Sequence, residues 1–553
     1  MIKQPDHLSG QIIDPIARRI FPGHIHIKNG TITAITEDNT VQQSHLIIPP
    51  LIDAHIHIES SMLTPGQWAM AAACHGTGAV VADPHEIANV LGVAGIDFMI
   101  RDADTVPIAF YFGAPSCVPA TPFESAGAMI DADTTAQLMA RDDIHFLGEM
   151  MNFPGVIHND SEVMAKIAHA KTNHKPVDGH APFLSAEDLD TYIKAGISTD
   201  HEATTLAEAL EKIDKGMKIL IRNGSSAKDF DALHSLISSH PADGMLCSDD
   251  LHPDDLLQGH LNLLVKKSLQ AGHDILDILQ YSSVNPVRHY RLPTGLLQVG
   301  DAADMLVVDN LKDFKVLHHY AGGIKIAEQG RPLFATKPPA VLNHFKAQPI
   351  QESDLHIPAA GASVRVIEVV DGDLITGATI QEAPIKEGHC CADPRRDLLK
   401  ICVLNRYTQK ATPALGFVTG FGLQRGAIAS SIAHDSHNIV AIGCSDEDLC
   451  AAINGVIQSQ GGIAYVAELK TTRLKLPIAG LMGQGSCAET ATRHHQIETL
   501  VKTNGCTLHA PFMAMSFLAL PVIPHLKMTD KGLFDVARFA FTSLFPDSKE
   551  NDR

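Results

Sequence analysis

The sequence predicts an α/β chain built on a (β/α)8 TIM-like barrel, with a small β-sandwich drawn from both flanks of the barrel and a C-terminal α+β domain. Three observations predict it. Short apolar runs alternate with helix-length amphipathic segments eight times between residues 46 and 250, as parallel βα units require. Several of those runs end in histidine, glutamate or aspartate. Hairpin-like β patterns lie both before the first run and after the last. At 553 residues the chain is too long for one core, and the size prior suggests about three domains. The expected boundaries are 1–47 and 291–345 for the two halves of the sandwich, 48–290 for the barrel and 346–553 for the C-terminal domain.

Residues 10 to 36 read as short strands with turns at Pro22-Gly23 and Asn29-Gly30, the second a strong hairpin signal. The eight runs are Leu46 to Ile58, Gly78 to Ala82, Pro107 to Ala114, Ile144 to Glu149, Pro176 to Gly179, Ile197 to Asp200, Lys218 to Ile221 and Gly244 to Cys247. Between them Ser161 to Thr172, Ser185 to Ala195 and Thr204 to Lys215 have helical periodicity, each opened by a residue suited to an N-cap. Thr294 to Asp309 is a turn followed by a buried strand, which returns to the β character of the N-terminus. Residues 331 to 360 are a connector rich in Pro and Ala. Beyond it, strands are expected at Val364 to Val370 and Gly426 to Ile432, and a helix over Asp446 to Gln458 capped by Ser445. Leu476 to Gly485, apolar and glycine-rich, suits close backbone packing or a subunit contact.

Composition narrows the function classes. A formal net charge of -20 with no compensating Lys/Arg block disfavours nucleic acid. Charges interrupt every apolar run before the roughly 18 residues of a membrane span, and the N-terminus lacks a secretory pattern. A cytoplasmic protein is expected. Ten cysteines contain no Cys-x-x-Cys pair and read as core thiols. Histidine is the anomaly, at 31 residues.

In a (β/α)8 barrel the C-terminal ends of the strands carry the active site. The first run ends in His55 and His57, which a strand would point to one side. Run four ends in Glu149, run five leads to His180, run six to His201 beside Glu202, and run eight to Asp249 and Asp250. Run two leads to Asp83-Pro84-His85-Glu86 and run seven to Arg222-Asn223. A lone polar residue at a strand end is usually a cap or loop contact, but several independent occurrences of metal-binding types are not. His55 and His57 would hold one ion, His180 and His201 a second, with Glu149 between them. A hydroxide shared by the two ions is the expected nucleophile, because divalent metal lowers the pKa of water from 15.7 to about 7. Asp249, favoured over Asp250 because it ends the run directly, would be both ligand and proton carrier. His252 would orient it. His85, Glu86, Ser116 and Glu124 are candidates for contact with substrate, and His434, Asp435 and His437 for an additional metal site or a lid edge.

The order His-x-His, Glu, His, His, Asp resembles the amidohydrolase superfamily. Within it, Leu51 to Ser61, Ala82 to Glu86, Gly113 to Thr121, Gly148 to Gly155, Cys247 to Pro253, Gly416 to Gly422 and His434 to Asn438 resemble the bacterial adenine deaminases, so the likeness covers nearly the whole chain. No lysine lies near Glu149 to provide the carbamylated bridge of many relatives, which fits the carboxylate-bridged members. The resemblance implies a small-molecule purine substrate, attack at C6 of adenine, release of ammonia and hypoxanthine, and a place in purine salvage. It also implies two divalent ions per chain, Mn2+ or Fe2+ with Zn2+ an alternative, and a homodimer. Two rival readings are a hydrolase of cyclic amides of the dihydropyrimidinase kind and an inactive barrel used as a scaffold. Deaminases that bind zinc through Pro-Cys-x-x-Cys are excluded.

Overall fold

The computed structural model describes residues 5–225 and 227–546. Its contacts divide the chain into two units. One comprises residues 1–84, 97–116 and 131–338, the other 85–96, 117–130 and 339–553.

The first unit opens with β1 (His7–Asp14), β2 (Arg19–Lys28), β3 (Thr31–Glu37) and β4 (Leu46–Ile48). Asn29-Gly30 makes the β2–β3 turn, both residues at positive φ, as that turn requires. Pro22-Gly23 corrects the expectation of a turn, since both residues lie inside β2 and pair with β1. The proline is tolerated because β3 pairs with β2 only from Gly23 onward, leaving no partner that needs an N–H from residue 22. Glycine follows because a Cβ at position 23 would lie 2.4 Å from the carbonyl oxygen of Thr36.

The barrel follows as β5 (Leu51–His57), β6 (Thr77–Ala82), β7 (Ala109–Ala114), β8 (Ile144–Met150), β9 (Val177–Gly179), β10 (Thr199–Asp200), β11 (Lys218–Arg222), β12 (Gly244–Cys247) and β13 (Asp249–Asp250). Parallel pairing runs from β5 to β9 and from β10 to β12. A bridge between Val177 and Ile197 joins the two arcs, and β13, which continues β12 past Ser248, pairs with β5 to close the ring. Each of the eight predicted runs contains a barrel strand, but the first is broken at Pro49-Pro50, so that Leu46–Ile48 joins the flanking sheet as β4 and only Leu51–His57 enters the barrel. The intervening helices include Ser161–Thr172, Ala186–Ala195 and Leu206–Asp214. Thr205 caps the last through its hydroxyl, whereas Asp160, not Ser161, caps the first.

After the barrel come β14 (Met305–Val308), β15 (Val316–Ala321), β16 (Ile324–Glu328) and β17 (Arg331–Pro332). β14 pairs with β4, so the two flanks form one eight-stranded sheet in the order β17-β16-β15-β14-β4-β1-β2-β3. Ile27 and Ile32, near one end of that order, share a core with Tyr320 of β15. Four strand spacings of about 4.8 Å would separate β2 from β15 in a flat sheet, so the sheet folds back on itself in the manner of a sandwich. Its other face, through Ile13, Leu46, Ile48, Leu306 and Val308, packs against barrel elements.

In the second unit β18 (Ile357–Pro358) precedes β19 (Ser363–Glu368), β20 (Gly377–Glu382), β21 (Ile385–Lys386), β22 (His389–Cys390), β23 (Leu399–Leu404), β24 (Ala414–Thr419), β25 (Ala427–Ser430), β26 (Ile439–Gly443), β27 (Gly462–Ala467) and β28 (Lys470–Lys475). Eight of these form a mixed sheet, β20-β19-β24-β23-β26-β25-β27-β28. Side chains alternate across it. Cys402, Leu404, Ile439 and Ala441 meet the helix Asp446–Gln458 on one face. Ile401, Val403, Val440 and Ile442 meet the helices Cys487–Thr503 and Pro511–Phe517 on the other. Ser445 caps the first of these helices, as expected. Gly480 allows the close packing foreseen for its segment, because a Cβ there would lie 1.9 Å from an Arg406 guanidinium nitrogen. Among the described residues, no helix is long and apolar enough to cross a membrane.

Candidate metal centre

Every barrel residue expected to act as a ligand lies at or just beyond the C-terminal end of its strand, as the alternation and lengths of the runs require. His55 and His57 point to the same side of β5, with their Nε2 atoms 3.1 Å apart. His57 uses its other nitrogen on the carbonyl of Asp83, at 3.0 Å. That bond fixes the ring and leaves Nε2 as the atom turned into the site. His57 Nε2 lies 3.1 Å from Glu149 Oε1 and 3.2 Å from Asp249 Oδ1. His55 Nε2 is 3.7 Å from Asp249 Oδ1 and 4.0 Å from Glu149 Oε1.

The second oxygen of Glu149 meets the other histidines, with His180 Nδ1 at 2.8 Å and His201 Nε2 at 3.2 Å. Glu149 thus stands between two pairs of imidazoles, one pair to each oxygen. Its main chain is held on both sides: its N–H donates to Asp83 Oδ2 at 2.9 Å, and its carbonyl accepts from the Ser116 hydroxyl at 2.5 Å. Gly148 makes the first of these possible, since a Cβ there would lie 2.3 Å from Asp83 Oδ2.

Two further groups complete the cluster, and the sequence reading named neither as a site residue. Glu202 Oε1 is 3.3 Å from His201 Nε2 and 3.6 Å from His180 Nδ1. Arg222, at the end of β11, reaches Glu202 at 2.5 Å, Asp249 Oδ2 at 3.0 Å and Asp229 at 3.0 Å. The signal for both was position, because each ends or follows a barrel run. Asp249 sits at φ +58, the left-handed region, and its place is held by pairing with β5 and by Arg222. Asp250 points elsewhere and accepts from the Ser60 hydroxyl at 2.5 Å, which separates the two aspartates.

The electrostatics follow from burial. Desolvation pushes Glu149 up, yet hydrogen bonds from His180, His201 and His57 outweigh it and hold the carboxyl well below its usual range. Asp249 is held down against burial in the same way, by His57 and Arg222, and Glu202 by Arg222 and His180. Burial, with His201 and His57 beside it, keeps the His55 imidazole well below its ordinary value and therefore neutral. His57 and His201 are also pulled down by burial, but the carboxylates override it and raise them well above that value. Four imidazoles and two carboxylates converging in one buried space are the donor set that suits a divalent transition metal. His55, His57 and Asp249 have donor atoms close enough to share one ion, as do His55, Glu149 and His201, and as do His180, His201 and Glu202. Cys247, nearby on β12, is kept protonated by burial and offers no thiolate.

The other candidates make different contacts. Ser116 spends its hydroxyl on the Glu149 carbonyl, and its own carbonyl accepts from Lys166 at 2.8 Å. His252 is the N-cap of the helix Pro253–Gln258, its N–H donating to the Ser225 hydroxyl. His85, Glu86 and Glu124 belong to the second unit, where Glu86 meets His434 and His437. Glu124 is buried, and desolvation together with Asp435 raises its carboxyl well above the usual range.

The profile of the Amidohydrolase family matches residues 46–326, and that of the Adenine deaminase C-terminal domain matches 373–540. The chain is 48% identical over 541 residues to an adenine deaminase from Salinibacter ruber, covering 98% of this chain and 99% of that one. A second relative, an adenine deaminase from Methanosarcina mazei, is 46% identical, with 97% of this chain and 99% of the other aligned.

Proposed function

The chain belongs to the amidohydrolase family, among its adenine deaminases, and on that premise we propose that it hydrolyses adenine to hypoxanthine and ammonia. The observation that carries the reading is Glu149, one buried carboxylate flanked through each oxygen by histidines from different strands. His55 and His57 would hold one ion, His180 and His201 the other, and Glu149 both, with Asp249 completing the set. Nitrogen and oxygen donors suit Zn2+, Fe2+ and Mn2+ alike, and the resemblance to the adenine deaminases favours Mn2+ or Fe2+ among them. When bound, such ions supply Lewis acidity and lower the pKa of water to about 7, so that a nucleophile is available at neutral pH.

The chain's own groups do the rest. Asp249 is ionised, and Arg222 occupies its Oδ2. Oδ1 is thus the atom that takes a proton from the attacking water and returns it to the departing amino nitrogen. Arg222 and Asp229 keep that carboxylate from rotating, while Asp83 and Ser116 fix the main chain of Glu149. Purine salvage in the cytoplasm is the setting this reaction implies.

Ammonia release from adenine, adenosine, guanine and cytosine, with ring opening of dihydrouracil run beside them, tests the reading. Adenine should be the substrate turned over. Ring opening without ammonia release from adenine would move the chain to the cyclic amide hydrolases.

A further inference from the structure

The second unit contains a group of metal-ligating side chains to which the proposed reaction assigns no role. His85 and Glu86 open the helix His85–Leu91, and His434 and Asp435 lie in the loop between β25 and β26. All four are buried, between 2% and 3% exposed. Their donor atoms form a compact set. Glu86 Oε1 is 2.5 Å from His434 Nδ1 and 3.5 Å from His85 Nε2. Asp435 Oδ1 is 3.8 Å from His434 Nδ1 and 4.0 Å from His85 Nε2. Each carboxylate oxygen therefore faces the same two imidazole nitrogens. A tetrahedral ion bound at about 2.1 Å by four N/O donors needs donor separations of about 3.4 Å, and these distances straddle that value.

We propose that His85, Glu86, His434 and Asp435 form a third divalent-metal site, an N2O2 set suited to Zn2+, Fe2+, Mn2+ or Co2+. The surroundings support it. His437 Nδ1 accepts the Ala433 N–H at 3.3 Å, so its proton sits on Nε2 and is donated to Glu86 Oε2. That bond orients Glu86 and leaves Oε1 towards His85 and His434, as the outer partner of a metal-binding carboxylate does. The His434 ring stacks on Phe517 at 4.4 Å, which sets the plane of Nδ1. Buried carboxylates are costly unless paired, and a divalent cation held between Glu86 and Asp435 would pair both. His437, one of the residues singled out in the sequence, is thus a supporting residue, and His85 and Glu86 take its place. The ion would tie the helix that opens at His85 to a loop some 350 positions further along the chain.

Full-length protein stripped of metal and titrated with Co2+ tests this, with bound metal counted after gel filtration and the d–d absorption recorded. Wild type should take up three Co2+ per chain. The His434→Gln and Asp435→Asn variants should each take up two and lose one component of the spectrum. A His55→Asn/His180→Asn chain, with the barrel set dismantled, should retain one. Wild-type saturation at two, or three ions retained in both His434→Gln and Asp435→Asn, overturns the proposal. Failure of the barrel reading would instead show as a His55→Asn/His180→Asn chain that matches wild type.

Discussion

Arg222 is the guanidinium among the carboxylates of the barrel cluster, and its removal strands three acids. The side chain is buried and pairs with Glu202, Asp249 and Asp229 at 2.5, 3.0 and 3.0 Å. Arg222→Met keeps most of the volume but leaves these acids without their guanidinium. Breaking a buried ion pair from one side costs about 3–5 kcal/mol, a large share of the roughly 5–15 kcal/mol that stabilises a domain. Glu202 and Asp249 are held below their unfolded values in the wild type, so their contribution is present above the unfolded carboxylate pKa of about 4.3 and is lost only as pH falls through the folded values. Without Arg222 the opposing effect of burial, which raises both, gains weight. The stability gap between wild type and variant should therefore be wider at pH 8 than at pH 5.5. Urea unfolding at the two pH values measures it, with fluorescence of Trp68 as the reporter. Trp68 is the one tryptophan in the chain, fully buried against Phe110 and His260 of the same unit. Adding Glu202→Gln to Arg222→Met should recover about 1–2 kcal/mol, because one stranded charge is then gone. A loss below about 1 kcal/mol, or a gap that narrows as pH rises, would refute the reasoning.

Asp249→Asn should lower kcat for adenine by at least about 100-fold while most of the bound metal remains, and activity close to wild type would remove Asp249 from the proton path. Glu149→Gln should weaken both ions together in a metal titration; loss of one ion with the other unchanged would argue that the carboxylate is not shared. Gly148→Ala pushes a methyl against Asp83, 2.3 Å from Oδ2, and so should cost about 100-fold in kcat by displacing Glu149, with unfolding little changed. An unchanged kcat would show that the Asp83 contact does not position Glu149.

The barrel was legible in the sequence because its strands are short, apolar and separated by helices with their own period. Their ends could be counted, and His55, His57, Glu149, His180, His201 and Asp249 fell there. What the sequence hid was contact between distant residues. That Arg222 binds Glu202 and Asp249 depends on three strand ends meeting, which no local pattern encodes. Glu86 beside His434 and His437 is a pairing across most of the chain, so the loop after β6 looked like part of the barrel. Pro22-Gly23 misled for a different reason. Dipeptide turn signals assume a strand bonded on both sides, and position 22 has no N–H requirement. The choice between Asp249 and Asp250 rested on a plausible reading of the run, and the bond from Ser60 to Asp250 supplies the physical ground for it.

Anomalous scattering from crystals grown with Mn2+ and a purine analogue tests the central claim most directly. Two peaks are expected in the barrel, one on each side of the Glu149 carboxylate and about 2.0–2.2 Å from nitrogens of His55 and His57 in one case and His180 and His201 in the other, with the purine C6 facing the space between them. A barrel with no peak beside Glu149, or with the analogue bound away from these six residues, would contradict it.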